Sequence, residues 1–221
     1  MEFSNVCEKQ NKTKYQLWKI ITSAFFIRIF IIGIDTMERL KIDIIEAALD
    51  EFNEKGIKFT MESIAKRLGI SKKTIYTVFK DKHDLMEQTV EYGFAAIKES
   101  EQKLYQDNSI ELTEKIKKIL IVMPDRFRTI DFTKVYTLRE NYEDIFNKII
   151  EHVNTGWDIT IELMNEAVDK GVYRPFNIEV FKGLFEAGIM KFLGDDILSK
   201  TGTAYGEALK DMVDIMINGI V

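Results

Sequence analysis

Cysteine, histidine and proline are scarce in this chain of 221 residues. The single cysteine, Cys7, excludes a disulfide framework within the chain and fits the reducing cytoplasm, which is the location we expect. Because the only histidines are His83 and His152 and no cysteines cluster, a transition-metal site is not expected. The two prolines leave long segments in which nothing interrupts a helix.

Motifs of catalytic sites are also missing from the sequence. It contains no glycine-rich phosphate loop after a strand, no nucleophile elbow and no pair of histidines at metal-ligand spacing. The 36 acidic residues are scattered along helical segments, where solvated faces explain them better than a paired acid and base. We therefore predict that the protein is not an enzyme and needs no cofactor.

Apolar residues make up 46% of the chain and recur at helical spacing through most of it. This composition allows a sizeable core, and the periodicity predicts an all-α fold with a small N-terminal domain fused to a larger one. The clearest period covers residues 142–170, where we expect one helix that ends at Gly171.

The segment 60–85, TMESIAKRLGISKKTIYTVFKDKHDL, predicts a helix-turn-helix. Thr60 is a good N-cap for a short helix, and Gly69 can adopt the left-handed backbone conformation that ends it. Ser71 is a second N-cap, for the helix that would enter a DNA groove, and Asp81 can cap the helix that follows.

Positive charge gathers on this segment although the whole chain carries 31 basic and 36 acidic residues, a net charge of -5. Between residues 57 and 83, seven basic residues outweigh two acidic ones, which gives +5. The basic residues are Lys58, Lys66, Arg67, Lys72, Lys73, Lys80 and Lys82. A basic face on an acidic protein favours binding of that face to phosphates. The alternative, a solvated charged face on a structural helix hairpin, does not account for the residues of the turn.

Residues 44–85 contain the patterns AAL-x-x-F-x-x-x-G, T-x-x-x-IA-x-x-x-GIS-x-x-TIY-x-x-F and K-x-x-L. With these patterns the segment resembles the N-terminal domain of the TetR/AcrR family of transcriptional repressors. It implies a three-helix DNA-binding domain at residues 37–83, followed at 84–221 by a larger helical domain for ligand binding and dimerisation. The function implied is that of a homodimeric repressor, which a small-molecule effector releases from a palindromic operator in double-stranded DNA.

Position by position, the resemblance also implies DNA contacts. Phosphates would be bound by Thr60, Tyr76 and Lys82, and base edges or nearby backbone by Lys72, Lys73, Thr74 and Thr77. Ser71 and Lys80 complete the predicted DNA-binding set. We expect Lys73 to contact a base, because lysine donates to guanine acceptors, and Lys82 to bind phosphate at a helix N-terminus.

The larger domain carries two further expectations. Aromatic and thioether side chains of its middle helices predict an apolar ligand pocket lined by Met123, Phe127, Phe132, Tyr136, Trp157 and Met164. The two last helices have wide apolar stripes that predict a dimer interface built from Phe181, Leu184, Phe185, Gly188, Met212 and Met216. Ordinary packing within one protomer is the alternative for both sets.

Residues 1–36 form an extension with an apolar run at Leu17–Ile34, which Lys19 and Arg28 interrupt. An arginine at the centre of a spanning helix costs about 2.5–3.5 kcal/mol, which the isoleucines and phenylalanines of the run can offset. Three readings stay open: translation that begins at Met37, an added soluble helix, and contact with a membrane. The alternative function is a helical ligand-binding or protein-interaction module with a vestigial DNA-binding head, tethered to a membrane by this extension.

Overall fold

The computed structural model describes residues 36–221. The described residues divide into two units after Ile44. In the first unit, residues 36–44 are helical, and Arg39 Nε lies 3.3 Å from Asp43 Oδ1. The expectations for the apolar run Leu17–Ile34 lie outside the described residues. No helix between residues 36 and 221 is long and apolar enough to cross a membrane.

The second unit is built from eleven helices and contains no strand within the described residues, which confirms the all-α fold. The first helix runs from residue 36 to residue 55, and α1 denotes its part within this unit, residues 45–55. The others are α2 (Met61–Leu68), α3 (Lys72–Ile75), α4 (Lys82–Gln106), α5 (Leu112–Leu120), α6 (Thr137–Asn141), α7 (Glu143–Asn154), α8 (Asp158–Asp169), α9 (Ile178–Gly194), α10 (Ile197–Thr201) and α11 (Tyr205–Asn218). Short 3-10 turns lie at Gly56–Lys58, Asp125–Phe127 and Phe132–Lys134.

The long helix α4 runs on from the helix-turn-helix and packs against α5 and α7. Helix α5 also contacts α8 and α11, and α9 contacts α7 and α11. Their buried faces are apolar, with Ile116, Met164 and Ile217 fully excluded from solvent. The predicted domain boundaries at residues 36 and 83 stay predictions.

The single helix expected at residues 142–170 is wrong, because the segment forms two helices, α7 and α8. The break lies at Gly156, whose φ of 72° is a left-handed conformation that a helix cannot contain. The expected end of the segment is confirmed, since Gly171 has a φ of 68°. The apolar period continues across the break because both helices face the same core.

Candidate functional site

The helix-turn-helix is fixed by local hydrogen bonds. The Thr60 hydroxyl accepts from the backbone N–H of Ser63 at 3.1 Å and caps α2, which ends at Gly69 with a φ of 66°. Ser71 Oγ accepts from the Thr74 N–H at 3.1 Å and caps α3. Asp81 caps α4 in the same way, at 2.9 Å. These caps satisfy backbone donors that the helix ends leave unpaired, so the turn geometry follows from the local sequence.

Beneath the turn, an apolar core holds the helices of this segment together. Ile64 from α2, together with Ile75 and Phe79 from α3 and the turn after it, is fully buried. Because Ile75 and Phe79 are both buried, one at the end of α3 and one after the turn that follows it, α3 has one inward side. Lys72, Lys73, Tyr76 and Thr77 are left exposed to solvent.

Residues 71–80, which comprise α3 with its N-cap and the turn after it, carry most of the predicted DNA contacts. Exposed residues of the predicted set are Thr60, Ser71, Lys72, Lys73, Tyr76, Thr77 and Lys80. Thr74 is half-buried, with its hydroxyl 2.8 Å from that of Ser71. Four of these side chains donate no hydrogen bond to another described residue, so their polar ends are available to a ligand such as DNA. They are Lys72, Lys73, Tyr76 and Lys80.

Lys82 is the one predicted DNA contact whose side chain turns inward. Its ammonium donates to the carbonyl of Ile57 and lies 4.2 Å from the centre of the Phe59 ring. Burial lowers the pKa of the ammonium. The Lys82 side chain therefore links α4 to the turn before α2 in this structure, and its contact with phosphate stays a prediction.

Arg67 also has protein partners, which narrows the basic face expected from the sequence. Its Nε donates to Glu51 Oε1 at 2.9 Å, and its Nη2 to Glu54 Oε1 at 2.6 Å. Burial by itself would raise the pKa of Glu51, but the hydrogen bonds from Lys55 and Arg67 outweigh it, and that pKa is lowered to about 2. Glu51 is thus a buried carboxylate that ties α1 to α2.

A cavity of about 250 Å³ lies among the helices of the second unit. Of the six side chains predicted to line a pocket, Met123, Phe127, Phe132 and Trp157 do so. Tyr136 and Met164 are not among the lining residues: Tyr136 is half-buried just before α6, and Met164 is fully buried in α8. Phe185, predicted for the dimer interface, lines the cavity instead, with its ring centre 5.2 Å from that of Trp157.

The charged residues of the cavity wall are already paired. Lys98 Nζ donates to Glu101 Oε2 at 2.7 Å and to the carbonyl of Gly156 at 2.8 Å. His152 lies 3.3 Å from Glu91 and stacks on Phe94. Each of these three side chains therefore already has a partner within the protein.

Two hydroxyls of the wall, those of Thr160 and Tyr205, make no hydrogen bond to another described residue. Burial raises the pKa of Tyr205, so its hydroxyl stays protonated at neutral pH. The other polar side chains of the wall have partners, so these two hydroxyls are the ones free to bond a ligand in a wall that is mostly apolar. No group of three histidine, cysteine or acidic residues within 36–221 is arranged to hold a metal ion.

The residues predicted for a dimer interface divide into an inner and an outer set. Phe181 and Phe185 are buried within the protomer, whereas Leu184 is 61% exposed. Gly188, Met212 and Met216 are half-buried, and Gly188 lets α9 approach α11 closely, because a methyl group added there would lie 2.2 Å from Met212 Sδ. Two apolar residues outside the predicted set, Val180 and Ile215, are 57% and 74% exposed.

Residues 44–89 match the model of the family described as bacterial regulatory proteins, tetR family. An uncharacterized HTH-type transcriptional regulator, YvaF of Bacillus subtilis (strain 168), is 29% identical over 167 residues, which cover 76% of this chain and 88% of that protein.

Among solved structures, this fold is similar to FadR from Bacillus subtilis in complex with stearoyl-CoA, with a TM-score of 0.57, 16% identity and coverage of 81% of this chain and 99% of that one. It is also similar to SmeT, the repressor of the Stenotrophomonas maltophilia multidrug efflux pump SmeDEF, with a TM-score of 0.58, 16% identity and coverage of 82% and 90%. At such identities the structural likeness shows the fold alone.

Proposed function

We propose that this chain is a DNA-binding transcriptional regulator of the tetR family of bacterial regulatory proteins. On that premise, it acts as a dimeric cytoplasmic repressor, which an uncharged small molecule with an apolar body releases from a palindromic operator. The observation that carries the proposal is the presence, in one helical unit, of an exposed basic α3 and an apolar cavity reached by α4. The comparisons favour this function over a helical module with a vestigial head.

DNA recognition is assigned to the outward side of α3. The exposed lysines of α3 and the exposed hydroxyls of Ser71 and Thr77 beside it have the donors that the major groove accepts, and the burial of Ile75 and Phe79 fixes which side of α3 faces outward. Lys72 and Lys73 bring two positive charges next to each other at the start of α3, where the positive end of the helix dipole adds to their attraction for DNA. In a two-fold dimer, two such helices would read the two halves of an inverted repeat.

Replacing Lys73 by alanine is expected to lower affinity for an operator obtained by in vitro selection by about tenfold for each head, and to lower affinity for unrelated DNA much less. The reason is that a base contact contributes only on the right sequence. Fluorescence anisotropy on both duplexes at several salt concentrations measures this difference. Lys103→Ala, which removes an exposed lysine near the end of α4, is the charge-matched control and should change neither affinity.

Equal losses on the selected and the unrelated duplex would reassign Lys73 to a phosphate contact. A selection that enriches no inverted repeat, together with a shallow salt dependence of binding, would overturn the DNA-reading function itself.

The chemistry of the effector follows from the pairing of charges around the cavity. A carboxylate or ammonium buried without a partner costs several kcal/mol, and Lys98, Glu101 and His152 already have theirs. The free hydroxyls of Thr160 and Tyr205 suit a molecule with one or two hydrogen-bonding groups on an apolar body. We therefore propose an uncharged effector.

The matched pair 1-decanol and decanoate is expected to separate the two ligand classes. The alcohol should weaken operator binding by about 5-fold or more, since typical coupling between sites is 1–3 kcal/mol, whereas decanoate should have little effect. Titration of the protein–operator complex with each compound measures this release. Thr160→Val should raise the decanol concentration needed about fivefold, because it removes one hydrogen bond.

Thr155→Val is the control for that substitution, since the Thr155 hydroxyl also belongs to the cavity wall but already donates to the carbonyl of Glu151 at 2.9 Å. Stronger release by decanoate than by decanol would contradict the uncharged class and would assign the ligand's carboxylate to Lys98.

The dimer is assigned to the outer sides of α9 and α11. Val180 and Leu184 are four residues apart and lie on one side of α9, and Ile215 is exposed on the neighbouring α11. Three large apolar residues this exposed, on two helices in contact, form a surface that a second copy would cover. An interface made of the same surface on both copies gives the two-fold symmetry that an inverted repeat requires.

A further inference from the structure

Residues 122–135, called here the coupling segment, run between α5 and α6 without forming an α-helix. One side of the segment is part of the cavity wall. Its lining residues are Val122, Met123, Phe127, Ile130, Phe132 and Val135. A molecule that fills the cavity would therefore press on this segment along most of its length.

Another side of the coupling segment is bound to α1. Arg126, next to Phe127 in the chain, donates from Nη2 to the carbonyl of Glu46 at 3.1 Å and to Asp50 Oδ1 at 3.3 Å. Its Nε is buried and has no hydrogen-bond partner in the structure. The contact of Arg126 with α1 is thus partly satisfied, which makes it easier to break than a fully paired one.

Asn53 of α1 makes the second connection. Its amide nitrogen donates to the carbonyl of Thr129 at 3.0 Å, and its amide oxygen accepts from the backbone N–H of Asp131 at 2.8 Å. One side chain therefore holds two backbone groups of the coupling segment, on either side of Ile130. Lys134 adds a third connection, since its ammonium donates to the carbonyl of Asn53.

Residues that face the cavity thus alternate along the segment with groups that hold α1. We propose that the coupling segment transmits occupancy of the cavity to α1 through Arg126 and Asn53. This gives the effector a route to the helix-turn-helix in addition to the one through α4. The inference rests on the proposed function, because it concerns how the effector acts on DNA binding.

Close packing against α4 explains why a ligand must move this segment. The ring of Phe127 lies so near Gly93 of α4 that a methyl group added at Gly93 would be 2.9 Å from Phe127 Cε1. Phe127 therefore cannot retreat towards α4 without displacing that helix. Packed interiors respond by shifting whole elements rather than by compressing, so the displacement passes to Arg126 and Thr129.

Coupling between two sites is reciprocal, so DNA binding must in turn change the coupling segment. We expect hydrogen exchange of the full chain with the selected operator duplex to slow at the amides of residues 72–77. It should also slow, by about fivefold, at the amides of Phe127 and Ile130, which bond to carbonyls within the segment. In Arg126→Gln the slowing at residues 72–77 should persist and that at Phe127 and Ile130 should disappear.

Arg128→Gln is the matched control, because Arg128 lies in the same segment but donates to the carbonyl of Met123 rather than to α1. Asn53→Ala gives a second, independent break of the same route and should repeat the result of Arg126→Gln. Slowing at residues 72–77 without any change at Phe127 and Ile130 in the unaltered chain would overturn this inference alone, as would identical responses of Arg126→Gln and Arg128→Gln. Absence of slowing at residues 72–77 would overturn the proposed function, and the inference with it.

Discussion

Substituting aspartate for both Leu184 and Ile215 is expected to convert the proposed dimer into a monomer and to weaken operator binding by about a hundredfold or more. Each substitution replaces an exposed apolar side chain of α9 or α11 with a carboxylate, which the interface would remove from water. A monomer loses the gain in affinity from two linked heads, which is typically 10²- to 10⁴-fold. Analytical ultracentrifugation gives the mass, and anisotropy on the selected operator gives the affinity.

Val172→Asp is the control for the dimer prediction. Val172 is also an exposed apolar residue, at 38%, but it follows Gly171 in the turn after α8 rather than lying on α9 or α11. The control should remain dimeric and should bind the operator normally. If the double variant keeps both the mass of a dimer and its thermal stability, then the outer sides of α9 and α11 are not the interface.

The sequence predicts the helix-turn-helix well because the residues that determine this motif act locally. Thr60, Gly69, Ser71 and Asp81 act through hydrogen bonds or backbone angles within four residues of themselves, and all four do in the structure what the sequence indicates. The resemblance to a known family depends on the same short-range pattern, and the family model matches residues 44–89, which contain it.

Contacts over long sequence separations are what the sequence does not reveal. The sequence places Arg67 on a basic face, but in the structure its guanidinium donates hydrogen bonds to Glu51 and Glu54 of α1. Lys82 has the position of a phosphate contact, yet its ammonium meets a carbonyl 25 residues away. Asn53 shows no motif at all, because its partners lie in a segment without regular structure.

Helical phase is the second source of error in the larger domain. Apolar residues cover so much of α9 that periodicity cannot separate Phe185, which faces the cavity, from Leu184, which faces solvent. For the same reason Met164 is predicted for the cavity wall, whereas in the structure it lies on α8, fully buried in the core. The sequence does not predict Thr160 and Tyr205 as cavity residues. A hydroxyl is free to bond a ligand only when no other group of the fold is hydrogen-bonded to it, and that depends on the tertiary structure.

Glu51→Gln is expected to lower the free energy of unfolding by about 3 kcal/mol at pH 7. The carboxylate is buried, and its pKa is lowered to about 2 from the usual 4.5, so the charged form is stabilised by the folded state. About 1.4 kcal/mol corresponds to each pKa unit, and removing one partner of a buried ion pair costs about the same total. Urea denaturation, monitored by circular dichroism, measures the change.

The pH dependence of that difference tests its cause. A group whose folded pKa lies below its unfolded value contributes stability that is complete above the unfolded pKa and is lost as the pH falls through the folded pKa. The gap between the unaltered chain and Glu51→Gln should therefore be constant above about pH 5 and should narrow between pH 4.5 and 2. Glu54→Gln is the control: Glu54 meets the same Arg67, but it is exposed, so its loss should cost about 0–1 kcal/mol. Equal costs for the two variants would show that Arg67, rather than burial of Glu51, sets the stability of the α1–α2 contact on which the position of α3 depends.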